Sequence, residues 1–286
     1  EREYYRTTKQ ILRELYAEVS HGDWFFRLGK QQVVWGKMDG KVIDIINPSW
    51  DWLGPTATQD NYKWTRIPTW LATAVYSWKD FDLQLIWNPD FEPGQGPPPG
   101  DVFSRSSGYE GKGAQKQVVN FHALRRRKPA GNLKNSEVGL RTNWIKNGWD
   151  MGAIYWYAWD DFPTRFRRGN RPDELKHTRL HHFGFNLDKS FGFGGRNWVW
   201  RAESLYTLDD YLPTRGESHP WMDGVTKTNQ LISATALETS ALRGNLSLLF
   251  QASNRHLFKY DRADMGPLKT KRDQTLWLLS LSYTFN

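Results

Sequence analysis

The chain has 286 residues, 38% of them apolar, with a net charge of +8 and a mean hydropathy of −0.72. No run of 18 apolar residues occurs, which excludes a transmembrane helix. The absence of cysteine excludes disulfides, thiolate metal sites and c-type haem attachment within the chain.

Low hydropathy sits beside 16 Trp, 12 Tyr and 15 Phe. Rings with one polar edge suit a lipid–water boundary. A transmembrane β-barrel reconciles the two, because alternating strands average to a polar hydropathy. Glu1 opens no signal peptide, so a processed or incomplete chain is expected.

In chain order, two-residue alternation predicts eleven strands, at about 10–20, 23–34, 65–77, 80–88, 136–146, 149–159, 178–189, 196–208, 228–239, 243–254 and 273–285. Many approach the length a tilted strand needs to cross a bilayer. Short turns fall at 21–23, 79–80, 147–148, 191–195 and 243–244. Asn147-Gly148 is a strong hairpin signal. Long connections fall at 35–64, 89–135, 160–177, 209–227 and 255–272. Short periplasmic turns alternating with long extracellular loops are the pattern of an outer-membrane up-and-down barrel. The strand directions place residue 1 on the long-loop side and the last strand running to the short-turn side. An even strand count then implies an odd number of strands outside these eleven.

The tryptophans follow the same frame. Trp24, Trp78, Trp144, Trp149, Trp198 and Trp200 lie near short turns, as one girdle would. Trp35, Trp64, Trp87 and Trp159 lie at long-loop ends, as the other would. In "WVWRAESLYTL" (198–208), Trp198 and Trp200 alternate with Arg201 and Glu203. Rings on one side and charges on the other predict lipid outside and a watery lumen inside. A soluble β-sandwich explains the alternation but neither the loop lengths nor the Trp bands.

Alternation assigns to the lumen Glu14, Glu18, Arg27, Gln31, Asp82, Gln84, Glu137, Arg141, Arg201 and Glu203. Such charges either fill a small barrel or line a pathway through a wider one. Arg201 is expected to pair with a carboxylate on a neighbouring strand. "WGKMDGKVIDIINPSWDW" (35–52) either folds inward as a constriction or packs outside. "LHHF" (180–183) sends His181 and His182 to opposite faces, so they cannot share one site. No G-x-S-x-G or H-E-x-x-H occurs, which leaves an outer-membrane hydrolase a minor alternative and no catalytic residue to name. No metal or cofactor site is expected. Basic clusters at 125–128 and at Arg165, Arg167, Arg168 and Arg171 fall in predicted loops, and no nucleic-acid module is visible. The proline-rich 90–101 is extended by composition, and the arginines of the long 89–135 connection are candidate contacts for lipopolysaccharide phosphates or a partner.

One stretch is more specific. "DWFFRLGKQQVVWGKMDGKVIDIINP" (23–48) resembles the "RLGrQqvvWG…D…NP" segment of a proteobacterial family of long outer-membrane proteins classed only as a domain of unknown function. "LIWNPDFEPGQGPPPGDVF" (85–103), "NSEVGLRTNW" (135–144) and "WRAESLY" (200–206) extend the likeness over most of the chain. The resemblance implies a single porin-like barrel domain in the outer membrane of a Gram-negative bacterium, working beside envelope export of hydrophobic compounds. The expected function is a channel or export barrel for small or amphipathic solutes. The alternative is a non-conducting barrel that scaffolds or sheathes an export or electron-transfer complex.

Overall fold

A computed structural model describes residues 12–38, 42–47, 66–94, 109–110, 117–118, 125–127, 129–168, 171–213, 224–260 and 271–285. Trp64, 48–52 and most of the proline-rich stretch lie outside the described residues. The strands are β1 (Leu15–His21), β2 (Trp24–Gln31), β3 (Thr69–Trp78), β4 (Phe81–Asn88), β5 (Tyr109–Glu110), β6 (Gln117–Val118), β7 (Arg125–Arg127), β8 (Glu137–Lys146), β9 (Trp149–Trp159), β10 (Thr164–Arg168), β11 (Arg171–Lys176), β12 (Arg179–Phe193), β13 (Arg196–Pro213), β14 (Val225–Ala241), β15 (Leu246–Leu257) and β16 (Asp273–Tyr283). The fold is all-β.

Eleven strands form one sheet in the order β1-β2-β3-β4-β8-β9-β12-β13-β14-β15-β16. Each is antiparallel to the one before it in the sheet. These are the eleven strands the alternation predicts, with ends moved by a few residues. The sheet is open, with β1 and β16 as its two edges. The turns have the expected chemistry. Asn147 and Gly148 both take positive φ, as a two-residue I′ hairpin requires. Gly194 and Gly195 do the same, so the "FGFGG" turn is confined to its last two residues and β12 runs on to Phe193.

The basic clusters correct the sequence expectation. Arg125–Arg127 is a strand, parallel to β11, and β10 and β11 form a hairpin within the 160–177 connection. This three-stranded sheet was illegible because arginine-rich strands carry no apolar alternation.

The register sorts side chains onto two faces. One row runs Asp82, Asn143, Gly152, Asn186, Glu203, Ala234 across β4 to β14; the next runs Gln84, Arg141, Ile154, Gly184, Leu205, Ile232. The other face carries Trp24, Trp78, Trp87, Trp144, Trp149, Trp159, Trp198 and Trp200, every girdle residue named from sequence except those at 35 and 64. It is apolar and uncovered. Leu28 is 65% exposed, Trp70 51% and Trp277 69%. Lysines cap several of its rings near the short turns: Lys79 over Trp78, Lys146 over Trp144 and Lys189 over Trp149.

Trp35 departs from the girdle assignment. It is 1% exposed and packs edge-on at 6.2 Å against Trp156, on the charged face. The end of a strand is where a girdle ring would sit, so position alone misled. The chain here does not continue outward. Residues 33–38 and 42–47 fold back across the charged face, and their apolar side chains make the core of the described residues. Val33, Trp35, Val42, Ile43 and Ile46 pack on Leu71, Ile86, Ile154, Trp156, Leu205 and Ala234.

This strap shows that the charged face is concave. Trp35 Nε1 donates to Gln84 in β4 at 2.8 Å, and two residues later Lys37 N donates to Glu203 in β13 at 2.6 Å. Four strand steps separate β4 from β13, about 19 Å in a flat sheet. Two residues of chain reach only about 7 Å. Side-chain reach and the two hydrogen bonds cover part of the remainder, and a sheet curled around the strap shortens it; the same short segment packs on Leu71 in β3, Ile86 in β4, Leu205 in β13 and Ala234 in β14. Two wall positions without side chains admit the filling. A Cβ on Gly139 would meet Trp156 at 2.4 Å and Trp35 at 3.0 Å; one on Gly184 would meet Ile154 at 2.5 Å and Ile43 at 3.1 Å.

Candidate functional site: the concave face and its strap

The strap is anchored first to its own hairpin. Asn47 Oδ1 accepts the Val33 N–H at 2.7 Å, and Asn47 Nδ2 donates to Thr69 Oγ1 at 2.9 Å. The carboxylate of Asp44 pairs with Arg66 and accepts the Trp35 N–H. These contacts hold both arms of the strap near the β2 end and satisfy backbone groups that burial would otherwise orphan.

The second set of anchors reaches the far wall. Lys37 Nζ sits between Asp150 of β9 and Asp188 of β12, paired with both. Those two carboxylates lie directly opposite each other in the register. Like charges so placed repel, and the lysine from the strap neutralises them. Arg141 lies within the fields of Asp150, Glu203, Asp188 and Asp82. Arg201 Nη1 binds Glu238 Oε2 at 2.6 Å.

The sequence-assigned residues therefore divide. Asp82, Gln84, Arg141, Arg201 and Glu203 come together around the strap. Gln31 is buried at its root, where Nε2 donates to Leu71 O at 3.0 Å. Glu18 and Arg27 face each other as a separate 2.6 Å pair. Glu14 precedes β1 and accepts the Gln32 N–H at 3.1 Å. Glu137 lies at the long-loop end, where it accepts from Asn88 and from the Trp159 N–H. His181 and His182 take opposite faces, with Tyr155 and Thr207 as their respective partners. Among the described residues no group of three or more metal-ligating side chains is close enough to hold an ion.

Sequence reasoning missed Lys37, Asp150, Asp188, Asn186 and Glu238. Asp150 and Asp188 carried a signal: once the two hairpins are registered they oppose each other, and an opposed acid pair needs a counter-charge. Asn186 carried none. It is fully buried, its amide has no hydrogen-bond partner among the described residues, and one oxygen of the neighbouring Glu203 is likewise unpartnered.

Just past the end of β9 at Trp159, Asp160 carries a displaced titration. Burial, and then the nearby Asp210 carboxylate, push its carboxyl up to about 7, against an opposing hydrogen bond from Phe162 N. The folded state thus keeps a proton that the unfolded chain releases near pH 4. The resulting stability is fully present below that pH and is lost as pH rises through about 7. Amide exchange, corrected for its intrinsic pH dependence, should show protection of the Asp160 N–H (bonded to Thr178 O at 2.8 Å) falling across that range. Asp160→Asn should flatten the profile; an unchanged profile in the variant would assign the effect elsewhere.

The sequence profile of one family, described as a protein of unknown function (DUF1302), matches residues 2–285. No curated protein matches the chain.

Proposed function

The chain belongs to the DUF1302 family, and on that premise we propose that it is an outer-membrane barrel that passes small or amphipathic solutes along its concave face, with the strap of residues 33–38 and 42–47 as the constriction. One observation carries this reading: a single curled sheet that is apolar and uncovered on one side, and charged and crossed by a strap on the other. A soluble sandwich would bury the apolar face under a second sheet. Contiguous exposed apolar surface on this scale needs another apolar phase. Lipid supplies it, and the lysine-capped tryptophans suit the headgroup level at the short-turn end. Charges on the inner face stay hydrated or paired, as a selective pathway requires.

The strap also favours a second reading, a non-conducting barrel that scaffolds or sheathes an envelope export or electron-transfer complex. Reconstitution of the intact natural protein separates them. It should fractionate with the outer membrane and require detergent. In a planar bilayer it should give discrete, low conductance. A silent barrel that co-purifies with a partner supports the scaffold. A helical protein that stays monomeric without detergent sinks both.

A further inference from the structure

Resting on the reading that the concave face borders a solute pathway, we infer that a binding site for a small, neutral, hydroxyl-rich solute lies on the short-turn side of the constriction, between the strap tip and the wall of β13 to β16.

The strap divides the concave face by height. Its apolar side chains pack on the row that holds Ile154, Leu205 and Ile232. On β13, Arg201 lies four residues nearer the short turn than Leu205. At that level the strap ends its reach across the wall, with Lys37 bound to Asp188, the register partner of Arg201. Here the apolar seal gives way to a cavity of about 290 Å³, bounded by Lys37 and Met38 on one side and by the four strands on the other.

The register gives the cavity a direction. Gln251, Leu249 and Ser247 line it from β15, and these alternate residues of one face span about 13 Å at the rise of a strand. Gln251 is the partner of Ala236 in the Arg201 row, Leu249 opposes Ser280, and Ser247 opposes Ser282. The run therefore starts at the strap tip and descends towards the turn at Leu242–Gly244. That is the course of a groove leading from the constriction to the short-turn end.

The lining selects the solute. The hydroxyls of Ser247, Ser280 and Ser282 and the amide of Gln251 offer donors and acceptors together. A solute hydroxyl also does both, so it can exchange its water hydrogen bonds for wall ones at little net cost. The formal charges already have partners: Arg201 with Glu238, and Lys37 with Asp150 and Asp188. An ion would shed water and meet no unmatched counter-charge, which disfavours it. The volume is at the small end for ligand sites. Small polyols fit all three conditions.

The chain has no cysteine, so one introduced thiol reports one position. Ser280→Cys lies in the groove, whereas Leu281→Cys, its neighbour, lies on the apolar face. Ser247→Cys repeats the groove reading from β15. In the intact natural protein in detergent, a sulfonated, membrane-impermeant maleimide should modify the thiols at 280 and 247 several-fold faster than the one at 281. Erythritol should slow the reaction at 280 saturably, measured against free cysteine in the same solution. Sodium butyrate and tetramethylammonium chloride at equal concentration should not. In a planar bilayer the adduct at 280 should lower conductance, and an adduct at 281 should not. No preference for 280 and 247 over 281, or equal protection by all three probes or by none, would overturn the site. Conductance indifferent to the adduct at 280 would overturn its place beside the constriction. A silent protein whose thiol at 280 is protected by erythritol alone would count against the channel and leave the site standing.

Discussion

Trp35→Ala should open the concavity and raise the conductance of the reconstituted protein, at a cost of about 3–5 kcal/mol in stability, the range for removing a buried tryptophan. The side chain is 1% exposed and lies at the crossing of the strap with β4, β8 and β9. Its loss leaves a void against Trp156 and strands the side-chain oxygen of Gln84. Trp35→Phe separates the two effects. It keeps most of the ring and removes only the Nε1 donor; because Gln84 is half-buried, it should cost no more than the low end of the ~1–3 kcal/mol of an unsatisfied buried acceptor and leave conductance near the unmodified level. Equal conductance in all three proteins would show that the strap does not limit passage. Chemical denaturation in detergent reports the stability change, and single-channel recording the pathway.

The second large effect contrasts adjacent residues on opposite faces. Trp200 is on the apolar face, where its Nε1 donates to Thr235 at 2.8 Å and its ring meets Trp149 edge-on at 6.2 Å. Trp200→Arg should impair assembly and cost about 2–4 kcal/mol if the residue lies near mid-bilayer, less towards an interface. Arg201→Glu should leave assembly largely intact. It replaces the partner of Glu238 with a like charge opposite Asp188, which costs the smaller penalty of a repulsive cross-strand pair. Its main effect is on passage: a positive field becomes negative, and selectivity shifts towards cations. Spin labels at the two positions give an independent reading. Oxygen, which concentrates in lipid, should relax the label at 200 more, and a water-soluble nickel chelate the label at 201. The reverse pattern would mean that the faces are assigned backwards.

How much of this was legible follows from what each signal measures. Alternation reports which side of a pleat a residue takes, so eleven strands and both faces could be read directly, as could an Arg201 partner on the neighbouring β14. Alternation says nothing about a segment that leaves the sheet. The strap has apolar residues at 33, 35, 42, 43 and 46 with no fixed period, because they pack on a curved wall and not along a pleat. That is why inward and outward placements could not be separated from sequence, and why Trp35 passed for a girdle ring. The anchors on the far wall were hidden for another reason. Lys37 and Glu203 are 166 residues apart, and nothing local to either marks the other. Only the curl of the sheet brings them together.

The glycines beneath the strap bind the histories of two distant segments. Gly139 admits Trp35 and Trp156, and Gly184 admits Ile43. A larger side chain at 139 is tolerable only where the rings above it shrink, and a smaller one at 35 leaves a hole that growth at 139 can refill. Substitution in the wall and substitution in the strap therefore constrain each other, although the two lie a hundred residues apart in the chain.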